Sequence, residues 1–358
     1  MSRLVLALAL CWACTSVALA QGLPSGPLRF ADGRAVVGLD VALTMGSDDT
    51  GYFNYADYDR SLLRLAQVDL TGEATLNDHV SLLLDGRLLN SDVTAAGVYV
   101  RLRPWANRGF TIQAGRIPPT FGAYGRRAYG VENPLVGLPV GYQYLTSLRP
   151  DSLPSNTDDL LRMRGRGWLS SFPLGETYAE HGSPLVAGTR WDTGVQAHLD
   201  TATVDTTVGV TLGSLANPLV RDDNDRPQVS ARLAWHPNAA VTLGVSAARG
   251  AFVTRDAARA TGAADAGAFT QRAWGADAEL SRDHVLVRAE VIVSDWQMPQ
   301  VTDAPLRAWS TSLEGRYKLA PGAYVAARLD HLAFSELTGS TGRQTWDANL
   351  TRVEVGAG

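Results

Sequence analysis

Beyond residue 20 the chain has no cysteine. Its two cysteines, Cys11 and Cys14, sit in "MSRLVLALALCWACTSVALAQ", where Arg3 precedes an apolar run that ends in Ala18-Leu19-Ala20 before Gln21. This is the pattern of a secretory leader with an A-x-A cleavage site; the alternatives are a membrane anchor or a lipoprotein signal at Cys11 or Cys14. C-W-A-C has the spacing of a redox pair, but it lies inside a segment expected to be removed. The mature chain then has no disulfide, no thiolate metal site and no cysteine nucleophile. It also lacks an apolar run near the roughly 18 residues that a spanning helix needs. Lysine is almost missing: of 32 basic residues only Lys318 is not arginine. The formal charge of -4 argues against general binding to nucleic acid. The six histidines are scattered without metal-ligand spacing, so no metal or cofactor is expected.

What the chain has in abundance is alternation. In "GTRWDTGVQAHLD", Thr189, Trp191, Thr193, Val195, Ala197 and Leu199 oppose Arg190, Asp192, Gln196, His198 and Asp200. "HVSLLLDGRLL" sets Val80, Leu82 and Leu84 against Ser81, Asp85 and Arg87, and "GVYVRLR" sets Val98, Val100 and Leu102 against Arg101 and Arg103. "PQVSARLAWHP" opposes Val229 and Leu233 to Ser230 and Arg232, and "DHVLVRAEVIVS" opposes Val287 and Val291 to Arg288 and Glu290. A period of two reads as strand. A soluble sandwich alternates too, but here the segments reach about ten residues, the length of a tilted strand crossing a bilayer. Trp191, Trp235, Trp274, Trp309, Tyr317 and Trp346 fall near segment ends, as interface girdles do. Connections alternate short ("LNDH", "HPNA", "APGA") with long and polar ("SLANPLVRDDNDRP", "FVTRDAARATGAADAGAF").

The expected fold is therefore all-β, an antiparallel up-and-down transmembrane barrel. Fourteen strands are expected, near 34–45, 60–74, 79–90, 95–104, 109–117, 186–200, 204–214, 228–236, 239–250, 270–281, 284–295, 307–319, 322–334 and 345–357. Residues 1–20 form the leader, 21–33 a periplasmic lead-in and 34–358 the barrel. Face shifts are expected at Ala66-Gln67, by way of a bulge, and in the last strand.

One segment breaks the pattern. "GRIPPTFGAYGRRAYGVENPLVGLPVGYQYLTSLRP", Gly115 to Pro150, has neither period, and the aperiodic stretch continues to about residue 185. An irregular segment of this length is functional or marks a wrong assignment. "TDDLLRMR" within it reads as a short helix capped by Thr157.

"AGRIPPTFG" (Ala114–Gly122) and the strand-turn-strand layout of Thr193–Pro237, with Arg232 and Pro237 in place, resemble bacterial outer-membrane porins. The chain is most similar to the group that holds phosphate-selective and related trimeric porins. The resemblance implies location in the cell outer membrane, a homotrimer bounded by membrane lipid, and passive passage of small hydrophilic solutes, with 118–185 folded inward as the constriction. Such porins have sixteen or more strands and end on an aromatic residue, whereas this chain ends "VEVGAG". It is expected either to close with fourteen strands or to be cut short by one hairpin.

The candidate pore-lining residues are Arg87, Arg101, Arg103, Arg190 and Arg232 on the polar faces, with Arg126, Arg127, Glu132, Tyr142 and Arg149 in the loop. From Arg116 to Arg166 there are seven arginines and four carboxylates, which would favour anions. The competing reading is that these arginines pair with neighbouring carboxylates, and arginine richness can also reflect base composition. An outer-membrane enzyme and a non-channel structural or adhesion protein are the alternatives to a channel. Enzymatic signals are thin: "GVSAA" (Gly244–Ala248) falls short of G-x-S-x-G and lies on a strand. A calcium loop at "DDND" competes with a plain solvated acidic turn.

Mature protein recovered from membranes is expected to begin at Gln21 and to take up no maleimide under denaturing conditions. N-terminal sequencing and intact mass check both, and a retained thiol would refute cleavage at Ala20.

Overall fold

The computed structural model describes residues 26–47, 54–55, 65–89, 92–105, 108–123, 132–135, 137–187 and 191–358. One antiparallel sheet of 15 strands dominates, and its neighbours follow chain order. The strands are β1 (Leu28–Phe30), β2 (Ala35–Thr44), β3 (Leu65–Asn77), β4 (Val80–Leu89), β5 (Asp92–Leu102) and β6 (Phe110–Ile117). After a long excursion, which carries the two-residue strands β7 (Ser152–Leu153) and β8 (Leu174–Gly175), the sheet resumes. It continues with β9 (Asp192–Asp200), β10 (Val204–Thr211), β11 (Gln228–Asn238), β12 (Val241–Ala251), β13 (Thr270–Arg282) and β14 (Val285–Trp296). Then come β15 (Leu306–Ala320) and β16 (Ala323–Phe334), a separate hairpin of β17 (Glu336–Gly339) and β18 (Gly342–Thr345), and finally β19 (Leu350–Ala357) beside β16. This is the meander of an outer-membrane barrel.

Alternation sets the two faces. Leu39, Val41, Leu82, Leu84, Val208, Val210, Leu243, Val245, Val291, Leu313 and Leu329 all point outward and stay exposed, an apolar belt that only lipid can cover. Polar partners such as Asp69, Ser81, Gln196, Ser246, Glu290 and Asp330 point inward and are buried. Two aromatic rows bound the belt. Trp274 and Trp309 flank Val293 toward the long-loop end, while Tyr317 lies toward the short-turn end. Along β15 the eight steps from Trp309 to Tyr317 span about 26 Å of strand.

Several details differ from the sequence expectation. The lead-in is not bare: Leu28–Phe30 pairs with Ala35–Val37 as a fifteenth, three-residue strand too short to alternate visibly. In β3, Gln67, Asp69 and Glu73 share the inward face, so no shift occurs near Ala66; the irregularity falls at Thr75/Asn77, beside a tight turn. Residues 342–345 belong to the β17–β18 hairpin, which explains the apparent face shift ahead of β19. Trp191 and Trp346 are not girdle residues. Trp191 precedes β9 and packs inside against Tyr99, with ring centroids 5.9 Å apart, and Trp346 is fully buried against Trp296 and Phe334.

Arginine at Leu313, midway between Trp309 and Tyr317, is expected to destabilise the inserted barrel by about 2–4 kcal/mol, against about 0–1 kcal/mol for Tyr317→Arg. Urea unfolding from vesicles, read by heat-modifiable gel migration, makes the comparison; equal penalties would contradict the assigned lipid face.

Candidate functional site

The sequence leaves the sheet at Pro118-Pro119 because neither proline can donate a ladder hydrogen bond. The chain then turns inward across the faces of β9–β14. Thr120 Oγ1 donates to Gln196 Oε1 at 2.9 Å, and Phe121 packs over Gly275. The amide of Gly122 donates to Ser246 Oγ at 3.1 Å, and that of Ala123 to Glu290 Oε1 at 2.8 Å. Gly122 is required here: its φ is 76°, and a Cβ would lie 2.2 Å from the Tyr142 hydroxyl.

The returning limb, residues 132–135 and 137–147, lies on β14–β16 and β19. Its short helix α1 (Val140–Gln143) begins after Pro139 and seats Gly141 on Ser310, where a Cβ would come within 2.5 Å of the hydroxyl. Tyr142 Oη donates to Glu290 Oε1 at 2.7 Å, so one carboxylate holds both limbs of the loop. Irregular backbone at membrane depth must find its hydrogen bonds inside the protein. Three wall arginines supply them. Arg288 Nη1 donates to the Glu132 carbonyl at 3.1 Å, Arg328 Nη2 to the Gly137 carbonyl at 2.5 Å, and Arg352 Nη2 to the Leu138 carbonyl. Arg352 Nη1 also donates to Gln143 Oε1 at 3.0 Å.

These arginines are held in turn by wall carboxylates. Arg288 bridges Glu279 (2.9 Å) and Glu314 (3.3 Å), and its Nη2 lies 3.7 Å from the Glu132 carboxylate. Arg328, with a side chain 0% exposed, meets Glu314, Asp330 and Glu354 at 3.2, 3.2 and 2.6 Å. Arg352 meets Asp330 at 2.8 Å. A buried guanidinium persists only when its donors are matched in this way.

Nearer the long-loop end a second fastening uses Asp347, which follows β18. Its carboxylate accepts the amides of Ser147 (2.8 Å), Gly165 (2.9 Å) and Ala348 (2.7 Å) and the Tyr144 hydroxyl (3.3 Å). Burial raises its pKa and favours the neutral form, while the three amides and the hydroxyl oppose that shift. Beyond it the loop carries α2 (Thr157–Arg162), capped by Asn156 and not by Thr157: Asn156 Oδ1 accepts the Asp159 amide at 3.0 Å.

The candidate residues separate into groups. Glu132 and Tyr142 meet the wall at Arg288 and Glu290. Arg232 binds Asp277 (2.5 Å) and Ser246 (3.2 Å) beneath the outgoing limb. Arg149 is buried away from the lumen wall, where it binds Asp151 at 2.7 Å and the carbonyls of Ser170 and Tyr178. Arg87 pairs with Asp69 at 2.6 Å on the far side of the sheet, and Arg101 and Arg103 reach Glu73 at 3.4 and 3.2 Å. Arg126, Arg127 and Arg190 lie outside the described residues. Sequence reasoning sets Arg288 and Glu290 on the inward face without a role, and misses Arg328, Arg352 and Asp347. The alternation of "RLDHL" and "TRVEV" marks Arg328, Asp330, Arg352 and Glu354 as inward, but nothing in one sequence tells an inward arginine that holds a loop from one that meets water.

No protein-family model matches the chain, and no curated protein matches it. Among solved structures it is similar to the loop L8 deletion mutant of OmpT, an outer membrane protein of Vibrio cholerae. That match has 12% identity, covers 90% of this chain and 88% of the other, and has a TM-score of 0.50. Lower scores accompany an anion-selective porin from Comamonas acidovorans (12% identity, 90% and 98% covered, TM-score 0.46) and Salmonella typhi OmpF in complex with daunomycin (12%, 90% and 83%, TM-score 0.48). The first likeness carries the fold alone: an outer-membrane β-barrel.

Two outcomes follow from the fastenings. Arg328→Met removes one guanidinium from Glu314, Asp330 and Glu354, leaving an excess of buried negative charge, and is expected to cost about 3–5 kcal/mol in urea unfolding; a neutral result would show the pairs to be dispensable. Asp347 binds its proton more tightly when folded than unfolded. Its contribution is therefore fully present below the unfolded pKa and is lost as pH rises through the folded pKa. Wild type should gain stability relative to Asp347→Asn as pH is lowered from neutral through the acidic range, and parallel pH profiles for the two proteins would refute this.

Proposed function

We propose that this chain is an outer-membrane channel for passive diffusion of small hydrophilic solutes, with the inward loop as its constriction. The observation that carries the reading is the one-sided docking of the loop. Its limbs occupy the inward polar groups of β9–β19, whereas Glu73 on β3, Arg101 on β5 and Arg103 just past the end of β5 keep side chains 29%, 23% and 31% exposed. Water and solute would pass along that β2–β5 side. The described inward charges there nearly balance, with Arg87, Arg101 and Arg103 against Asp40, Asp69, Glu73 and Asp85, so passage would be governed by size more than by sign.

A closed barrel is the second reading. It is favoured by the apolar cluster that Tyr144, Leu160, Phe172, Phe252, Trp296 and Trp346 build across the long-loop half of the interior. Bilayer recordings separate the two. Steady single-channel conductance is expected, and Arg101→Gln/Arg103→Gln, which leaves Glu73 unpaired, should move the reversal potential in a salt gradient toward cations. Absence of conductance from correctly inserted protein would reject the channel.

A further inference from the structure

On the outer surface, toward the long-loop end, one row of the sheet carries a run of charge. The register places Arg249 of β12 opposite Arg272 of β13, Arg272 opposite Asp295 of β14, and Asp295 opposite Arg307 of β15. Arg249 shares its face with the outward Leu243 and Val245, and Arg272 with the outward Trp274. Asp295 is already committed: Arg307 holds both of its oxygens, at 2.6 and 2.8 Å. Neither Arg249 nor Arg272 has a hydrogen-bond or ion-pair partner among the described residues, and Arg272 Nε is shielded from solvent as well. Three arginines thus face one carboxylate.

Like charges directly opposite on paired strands repel, with Cα atoms only about 4.5–5.5 Å apart. The pair is stable when an anion lies between them. Depth identifies that anion. Two residues along each strand, about 7 Å toward the membrane centre, lies the row Ala247, Trp274, Val293, Trp309. Outward tryptophans of this kind sit at the boundary of the hydrocarbon. The arginine row therefore stands at the level of the headgroups of the leaflet at the long-loop end. Ala247, beside Trp274, leaves room on the surface for an acyl chain below.

We propose that Arg249 and Arg272 form a clamp for a phosphate group of a phosphorylated lipid in the outer leaflet, with Arg307 at its edge. The guanidinium forks donate to the phosphate oxygens, while Trp274 and Trp309 border the acyl chains. The site is on the lipid face and is independent of whether the barrel conducts.

Barrels reconstituted in phosphatidylcholine nanodiscs doped with diphosphorylated lipid A, and read by native mass spectrometry, should retain the glycolipid. R249Q/R272Q should retain it at least about tenfold less, the scale of one charge-assisted contact pair. R249K/R272K should fall between, since it keeps charge without the fork. Heat-modifiable migration should be unchanged in all, because the glutamine variant also relieves the repulsion; if it fails to insert, the single variants R249Q and R272Q read the same loss. Retention by the glutamine variants equal to wild type overturns the clamp. Displacement of the glycolipid by millimolar inorganic phosphate overturns the lipid assignment, by showing that a free anion suffices.

Discussion

Backbone amides and carbonyls have no water to turn to at membrane depth, and this constraint decides how the interior is built. In the strands the ladder satisfies them. Once Pro118 and Pro119 break that ladder, every exposed carbonyl of the loop needs a donor that reaches it from the wall. Arginine meets this need, because it stays charged, offers five donors in a rigid fork and can bind a carbonyl and a carboxylate at once. Arg288, Arg328 and Arg352 do so from β14, β16 and β19, and Glu279, Glu314, Asp330 and Glu354 balance their charge. The near absence of lysine is consistent with this use, since a point ammonium could not divide its donors in the same geometry.

The two faces of the sheet solve opposite problems with the same period of two. Outside, valine and leucine meet lipid with no specific partner, so almost any apolar side chain serves. Inside, each polar residue must find a particular neighbour, often far along the chain, as Glu290 finds Ala123 and Tyr142. The outer face tolerates change, and the inner face transmits it. Arg249 and Arg272 stand outside too, in a charged row with Asp295 and Arg307 beyond the tryptophans.

The barrel is legible in the sequence because a long alternating strand needs no knowledge of its partner. The strands from Ala35 onward and the inward orientation of Arg87, Arg101, Arg103 and Arg232 all follow from the period. The short β1 and the β17–β18 hairpin are not legible, since three or four residues do not establish alternation. Nor are the roles within the loop. Its arginines look like a lining, yet Arg149 is consumed by Asp151 and two carbonyls, a partnership that depends on where Ser170 and Tyr178 return in space. Trp191 and Trp346 look like girdle residues because they lie at segment ends, and only the tertiary turn sends them inward.

The fastening of the loop spans great sequence distance. Arg352, on the last strand of the sheet order, donates to the carbonyl of Leu138, 214 residues earlier, and to Gln143 Oε1, 209 earlier. The loop is synthesised before the strands that will hold it. It can be fully fastened only after β16 and β19 have paired, because two of its three arginine donors to carbonyls are not in place until then. The inward loop is thus fastened last, since two of its arginine anchors, Arg328 and Arg352, come from the final strands of the sheet.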